Sequence, residues 1–183
     1  MKAVPASRYA VFFLIAAAGC AIDLATKDWI FDKLGPPGGP TQWLWRPFFG
    51  LQTSLNQGAL FGMGQGKVAF FAALSGLAAL GILYWLFVAR AAHDWLLTIA
   101  LGGIMAGILG NLYDRLGMWT MPGNPGQRVF AVRDWILVKY QEWIWPNFNL
   151  ADSLLVCGAG LLMWHAFRSP PKGEPASAEA GRA

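Results

Sequence analysis

Residues 68–89 read VAFFAALSGLAALGILYWLFVA and residues 95–113 read WLLTIALGGIMAGILGNLY. Neither stretch holds a charged side chain, and their lengths of 22 and 19 residues match the roughly 20 that a helix needs to cross a bilayer core. Only helices and closed barrels satisfy their backbone in lipid, so continuous apolar runs of this length are read as helices. Two shorter apolar runs lie on either side, at 9–22 and 153–167, with 14 and 15 residues. They reach spanning length only by taking in Asp23 at the end of the first, and Asn149 and Asp152 at the start of the last. The expected fold class is therefore an all-α membrane protein with four transmembrane helices, at about 9–30, 68–89, 95–113 and 149–167, in one domain covering 1–168.

Successive spans alternate direction. The end of the first (Asp23, Lys27), the end of the third (Asn111, Asp114, Arg115) and the start of the fourth (Asn149, Asp152) then share one leaflet. A charge inside a membrane costs roughly 3 kcal/mol or more, so such a cluster marks a functional site. Long loops at 31–67 and 116–148 lie on that side. Phe49–Asn56 alternates, with Phe49, Leu51, Thr53 and Leu55 on one face, and reads as a strand at the membrane surface. Residues 129–140 form a second β-rich run with Asp134 at its centre. The tail at 169–183, rich in Pro, Ala and Gly, reads as disordered.

The net charge of +4 is scattered and forms no basic stripe, so nucleic acid is not an expected partner. Membrane lipid is. Ten Trp suit interfacial belts, with Trp29, Trp43, Trp45, Trp119, Trp143 and Trp145 in or beside the long loops. Cys20 and Cys157 fall inside apolar spans and read as small packing residues rather than a disulfide. Lys2, Arg8, the apolar run and Ala17-Ala18-Gly19-Cys20 also fit a secretory signal with a lipidation-type cleavage site. Against that, Ala17 stands where such sites usually carry a larger aliphatic residue, and the helical pattern continues past Cys20 to Asp23 and Lys27. Those two are spaced i, i+4 with the acid first, the favourable order for an intrahelical pair.

The chain has no HExxH, no GxSxG and no Cys/His ligand spacing. Its only histidines, His93 and His165, fall at the opposite membrane face. No metal and no cofactor is expected. What remains is carboxylates, amides and cations on one side. Two carboxylates at close quarters share a proton, so one can activate a water while the other donates to a substrate carbonyl. Asp23 has Lys27 one turn on, and Asp114 has Arg115 beside it, which suits structural roles. Asp134 and Asp152 are set differently, Asp134 among Val132, Trp135 and Ile136, and Asp152 in the first turn of an apolar helix. On spacing alone, Asp134 as a solvated loop residue and Asp152 as a simple first-turn acid stay open. A small membrane transporter or proton relay would also carry intramembrane carboxylates, though usually near mid-bilayer and often within internal repeats. Gly103, Gly107 and Gly110 form a small-residue ridge for close helix packing.

Five segments in order carry a resemblance: Asp23 with Lys27; 56–62, NQGALFG; 107–115, GILGNLYDR; 132–135, VRDW; and 148–153, FNLADS. The chain resembles the lipoprotein signal peptidase (signal peptidase II) family, the intramembrane aspartic proteases of bacteria. The resemblance implies an endopeptidase of the cytoplasmic membrane that cleaves prolipoproteins just before their diacylglyceryl-modified Cys, and a monomer is expected. It implies that Asp134 and Asp152 are the catalytic pair. Asn56, Gly58, Phe61, Asn111, Arg115 and Asn149 match residues that line and order the site, and Asp23, Lys27 and Asp114 match its supporting ion pairs. The strand around Asn56 would belong to an extracytoplasmic sheet that cradles substrate. A count of Lys and Arg gives six on the side of both termini and eight on the long-loop side. Against the positive-inside rule, the assignment of both termini to the cytoplasm therefore rests on the resemblance. Two departures stand out: Ala106 where the family usually has glycine, and a longer stretch between Arg115 and Asp134.

Overall fold

The computed structural model describes residues 3–59, 63–124 and 126–168. In chain order the elements are α1 (Ala6–Leu34), β1 (Gln42–Trp45), β2 (Phe49–Asn56), α2 (Val68–Leu83), α3 (Trp95–Arg115), β3 (Val132–Tyr140), β4 (Trp143–Phe148) and α4 (Leu150–Arg168). All four helices, α2 together with its π-helical extension Tyr84–Val88, are long and apolar enough to cross a membrane. The chain is a membrane protein of four long apolar helices and a four-stranded antiparallel sheet. Phe61 and the tail at 169–183 lie outside the described residues.

The helix ends follow local chemistry. α1 stops where Gly35 takes φ 75° and returns its N–H to Phe31 O at 2.9 Å, a turn that favours glycine. α3 starts on Asp94, whose carboxylate accepts from Leu97 N–H at 3.0 Å, an N-cap bond. Residues 90–94 connect α2 to α3 through a single 3-10 turn, Ala91–His93.

α3 is the most buried helix and α2 the least. Exposed side chains of α2, such as Phe70, Leu74, Leu77 and Leu80, are apolar because their solvent is lipid. At the end away from the sheet, Phe12, Ala16, Ile82, Leu86, Ala92, Leu101, Met105 and Ile108 form one cluster. There Arg8 stacks on Trp95 at 3.3 Å and donates to Ala92 O at 3.1 Å.

α3 meets its neighbours through glycine. A Cβ on Gly107 would lie 2.5 Å from Ala151 O, and one on Gly110 would lie 2.3 Å from Asp23 Oδ2. Two of the three glycines of the expected ridge are thus required, while a Cβ on Gly103 would meet nothing closer than 3.9 Å. Ala106 has its compensation on α1, where a Cβ on Gly19 would fall 2.7 Å from that of Ala106. The space that a glycine would leave on α3 is supplied by glycine on the facing helix.

The sheet has strand order β1-β2-β3-β4 and joins the two long loops, since β2 comes from the first and β3 from the second. Ser54 pairs with Asp134 and Asn56 with Val132. β1 and β4 lie in stretches that read as loop. β4 contains Pro146, which removes a ladder donor and is tolerated on an edge strand. Trp29, Trp45 and Trp143 are exposed as an interfacial belt requires, but Trp119 is buried at 6% exposure. Its indole donates to Ala131 O at 3.3 Å, so it is a packing residue of the loop. Both cysteines are free, and Cys157 is exposed on α4 rather than packed inside.

Candidate active site

Where α1 and α3 end and α4 begins, the buried polar groups form one continuous network. Asn149 stands between β4 and α4 and caps the helix. Its Oδ1 accepts from Asp152 N–H at 3.0 Å, while its own N–H donates to Asp152 Oδ2 at 3.2 Å. This is a reciprocal capping box, and it fixes the direction of the Asp152 carboxylate. A further orphan donor of the first turn, Ala151 N–H, is taken by Asp23 Oδ1 at 2.8 Å. An acid from α1 thereby serves the positive end of α4.

Lys27 sits at the centre, with both it and its acids fully buried. Its Nζ lies 2.8 Å from Asp23 Oδ2, 3.1 Å from Asp114 Oδ2 and 3.0 Å from Asn111 Oδ1. An ammonium only donates, so Asn111 must turn its oxygen toward Lys27. Its Nδ2 then faces the other way and donates to Asp152 Oδ1 at 2.9 Å. Lys27 thus sets the orientation of an amide that holds Asp152.

Asn149 Nδ2 donates to Asp134 Oδ1 at 2.7 Å and lies 3.1 Å from Asn111 Oδ1. Asp134 and Asp152 are therefore bridged by one residue, with Asn111 bonded to the same bridge. The strand position of Asp134 opposite Ser54 brings it there, and at 2% exposure it is no solvated loop residue. Burial, and next the Asp152 charge, push the Asp134 carboxyl up to about 8, against the pull of Lys27 and hydrogen bonds from Asn56 and Asn149. At neutral pH it keeps a proton that an ordinary aspartate has lost.

The sequence-derived residues come together with one exchange of partners. Asp114 does not pair with its neighbour Arg115. It takes Lys27 on one side and Arg133 on the other, with Arg133 Nη2 2.8 Å from Asp114 Oδ1. Successive side chains at a helix end point in different directions, so sequence adjacency was the wrong guide. Arg115 instead donates to Gly58 O at 3.0 Å, and Gly58 N–H donates to Asn56 Oδ1 at 2.9 Å. Arg133 and Asp28 were missed. The signal available was a charged residue breaking the apolar flank of Asp134 at Arg133.

A cavity of about 410 Å³ opens from Asp152 and Asn56 between β4 and α4. Val138, Trp145, Pro146, Phe148 and Val156 line it, with Asn147, Ser153 and Cys157. Its walls are mainly apolar and include the Asp152 carboxylate, a form that suits an amphiphilic ligand with a polar bond to be positioned.

Residues 15–168 match the signal peptidase (SPase) II family. The lipoprotein signal peptidase of Rhodopirellula baltica is 52% identical over 167 residues, covering 90% of this chain and 75% of that protein. That of Symbiobacterium thermophilum is 38% identical over 126 residues, covering 69% of this chain and 75% of its own length. Two bacterial membrane enzymes solved by the in meso method share the fold, with TM-scores of 0.74 and 0.71. They are 24% and 25% identical and cover 92% and 87% of this chain, and 94% of each solved chain is covered. With a match that runs from α1 to the end of α4 and so takes in every residue of the buried network, the chain belongs to the signal peptidase II family.

Proposed function

We propose that the chain is a membrane-embedded aspartic endopeptidase that removes the signal peptide from prolipoproteins just before the diacylglyceryl-modified Cys, with Asp134 and Asp152 as its catalytic pair. The observation that carries the reading is the pair of carboxyls bridged by Asn149, one of them protonated at neutral pH. Asp152, which accepts from Asn111 and Asn149, takes a proton from water as the water oxygen bonds to the scissile carbonyl carbon. Asp134 gives its proton to the carbonyl oxygen. Collapse of the resulting diol breaks the C–N bond as one diol hydroxyl returns its proton to Asp134, and the proton on Asp152 passes to the leaving amine. Exclusion of bulk water around these buried groups strengthens each of these interactions.

The substrate chemistry fits the setting. A signal peptide is itself a membrane helix, and a diacylglyceryl group keeps the bond after it at interfacial depth. The apolar cavity beside Asp152 suits such a molecule. Both termini and the connection at 90–94 face the cytoplasm in this reading, with the sheet outside.

The test is cleavage by purified protein of a precursor with and without its diacylglyceryl group. Cleavage of the modified form alone is expected, and equal cleavage of both would overturn the substrate assignment. Orientation is read by cysteine labelling in intact cells. Gly38→Cys and Gly123→Cys should react with an impermeant reagent while Arg90→Cys does not.

A further inference from the structure

Resting on the reading of Asp134 as catalytic, we propose that Arg133 is the positioning residue for that carboxyl, and that it couples Asp134 to the long loop after α3. Arg133 is 2% exposed, a rare burial for a guanidinium unless several partners hold it. Its Nε donates to Asp114 Oδ1 at 3.0 Å and its Nη1 bonds to Asp28 on α1. Its guanidinium carbon lies 4.7 Å from the centre of the Trp119 ring, and Trp119 itself packs edge-on against Phe31.

The backbone of Arg133 is held as firmly as its side chain. Its N–H donates to Asp114 Oδ2 at 3.0 Å, and its carbonyl accepts from Asn149 Nδ2 at 3.3 Å, the same nitrogen that holds Asp134. The peptide that leads into Asp134 is thus gripped from both sides. Adjacent strand residues point to opposite faces, so Arg133 grips α1, α3 and the loop while Asp134 faces Asn149 and Asp152. Arg133 touches neither Asp134 nor the cavity, and its effect passes through the backbone and through Asp114.

Removing the guanidinium has two consequences. Asp134 loses its fixed seat, and a misplacement on the order of 1 Å can cost about 100-fold in rate. Asp114 also keeps one cation fewer, so the field at the acid pair becomes more negative. The charged groups facing Asp134 are Lys27 from α1, Arg115 from α3 and Asp152 from α4, and none replaces the lost charge at Asp114. The pair then holds its protons more tightly, and both limbs of the pH–rate profile move to higher pH. A merely structural residue would not produce that shift.

The experiment compares kcat, KM and pH profile for Arg133→Gln, Arg133→Lys and Asp28→Asn on a diacylglyceryl-modified precursor, with Asp134→Asn alongside. Arg133→Gln should lose about tenfold or more in kcat, as expected when a catalytic group is displaced by a fraction of an ångström or more, with KM little changed and the profile displaced to higher pH. Arg133→Lys should restore the profile but not the full kcat, because one ammonium cannot reproduce the fork across Asp114 and Asp28. Should Arg133→Gln fail to fold, Asp28→Asn decides, since Asp28 is 65% exposed and its loss leaves the core intact. A kcat reduced about threefold at constant KM, the scale of a single partly exposed ion pair, supports the coupling. Wild-type kcat in a folded Arg133→Gln, or in Asp28→Asn where the former does not fold, overturns it. An active Asp134→Asn would instead sink the catalytic pair itself, whatever the Arg133 variants do.

Discussion

Asn149 holds Asp134 by its side-chain amide nitrogen, at 2.7 Å, and meets Asp152 in both directions through the capping box, its main-chain N–H donating to the Asp152 carboxylate and its side-chain Oδ1 accepting from the Asp152 N–H. The start of a transmembrane helix and the mutual placement of two acids are therefore one structural event. Anything that unwinds the first turn of α4 separates the acids, and anything that moves β3 does the same from the other side.

Asp134→Asn should stabilise the protein at alkaline pH. With its carboxyl near 8 in the folded state and close to 4 when unfolded, the folded chain binds the extra proton between those values. Stability therefore falls as pH rises across that window, and the neutral amide abolishes the fall. Thermal unfolding in detergent at pH 5 and pH 8.5 measures it. The advantage of the variant should grow toward pH 8.5, and a constant difference would show that Asp134 is not held protonated.

Gly107→Ala and Gly110→Ala should cost roughly 1–3 kcal/mol each from overpacking, with activity lost as the first pushes α4, and the second Asp23 of α1, away from α3. Backbone at Ala151 and the carboxylate of Asp23 are the atoms struck. Gly103→Ala has room and should be neutral within about 0.5 kcal/mol. Equal tolerance at all three positions, read from unfolding midpoints, would mean that α3 and α4 do not approach as closely as described.

Lys27→Met leaves Asp23 and Asp114 buried without their shared cation. Breaking a buried pair typically costs about 3–5 kcal/mol, so expression or the unfolding midpoint should drop sharply. Lys27→Met with Asp23→Asn should recover part of the loss. A single variant as stable as wild type would remove Lys27 from the centre of the network.

Much of this was legible in the chain because membrane solvation leaves strong marks. Uncharged runs near 20 residues disclose spans, and charges at their ends disclose a site. The Asp23 and Lys27 pair followed from i, i+4 spacing alone, whereas the cap that Asn149 forms with Asp152 went unread because 149–167 was taken as helix throughout. Partners drawn from distant elements were not legible. Asp114 was assigned to Arg115 by adjacency, although it reaches Lys27 and Arg133 through the tertiary fold. The short edge strands β1 and β4 were hidden by their length and by Pro146. The Ala106 departure is explained only by the tertiary fold, which sets Gly19 opposite it.

The most direct test is the rate at which Asp134→Asn, Asp152→Asn and the double variant cleave a diacylglyceryl-modified precursor, with binding measured in parallel. Each single variant should fold and bind substrate yet lose cleavage by about 1,000-fold or more, and the double variant should be little worse, because residues acting as a unit are non-additive. The wild-type rate should describe a bell whose alkaline limb falls near pH 8, where the pair gives up its shared proton. If Asp134→Asn kept even about a tenth of wild-type turnover, well above what loss of a catalytic acid allows, the pair of Asp134 and Asp152 would not be the catalyst.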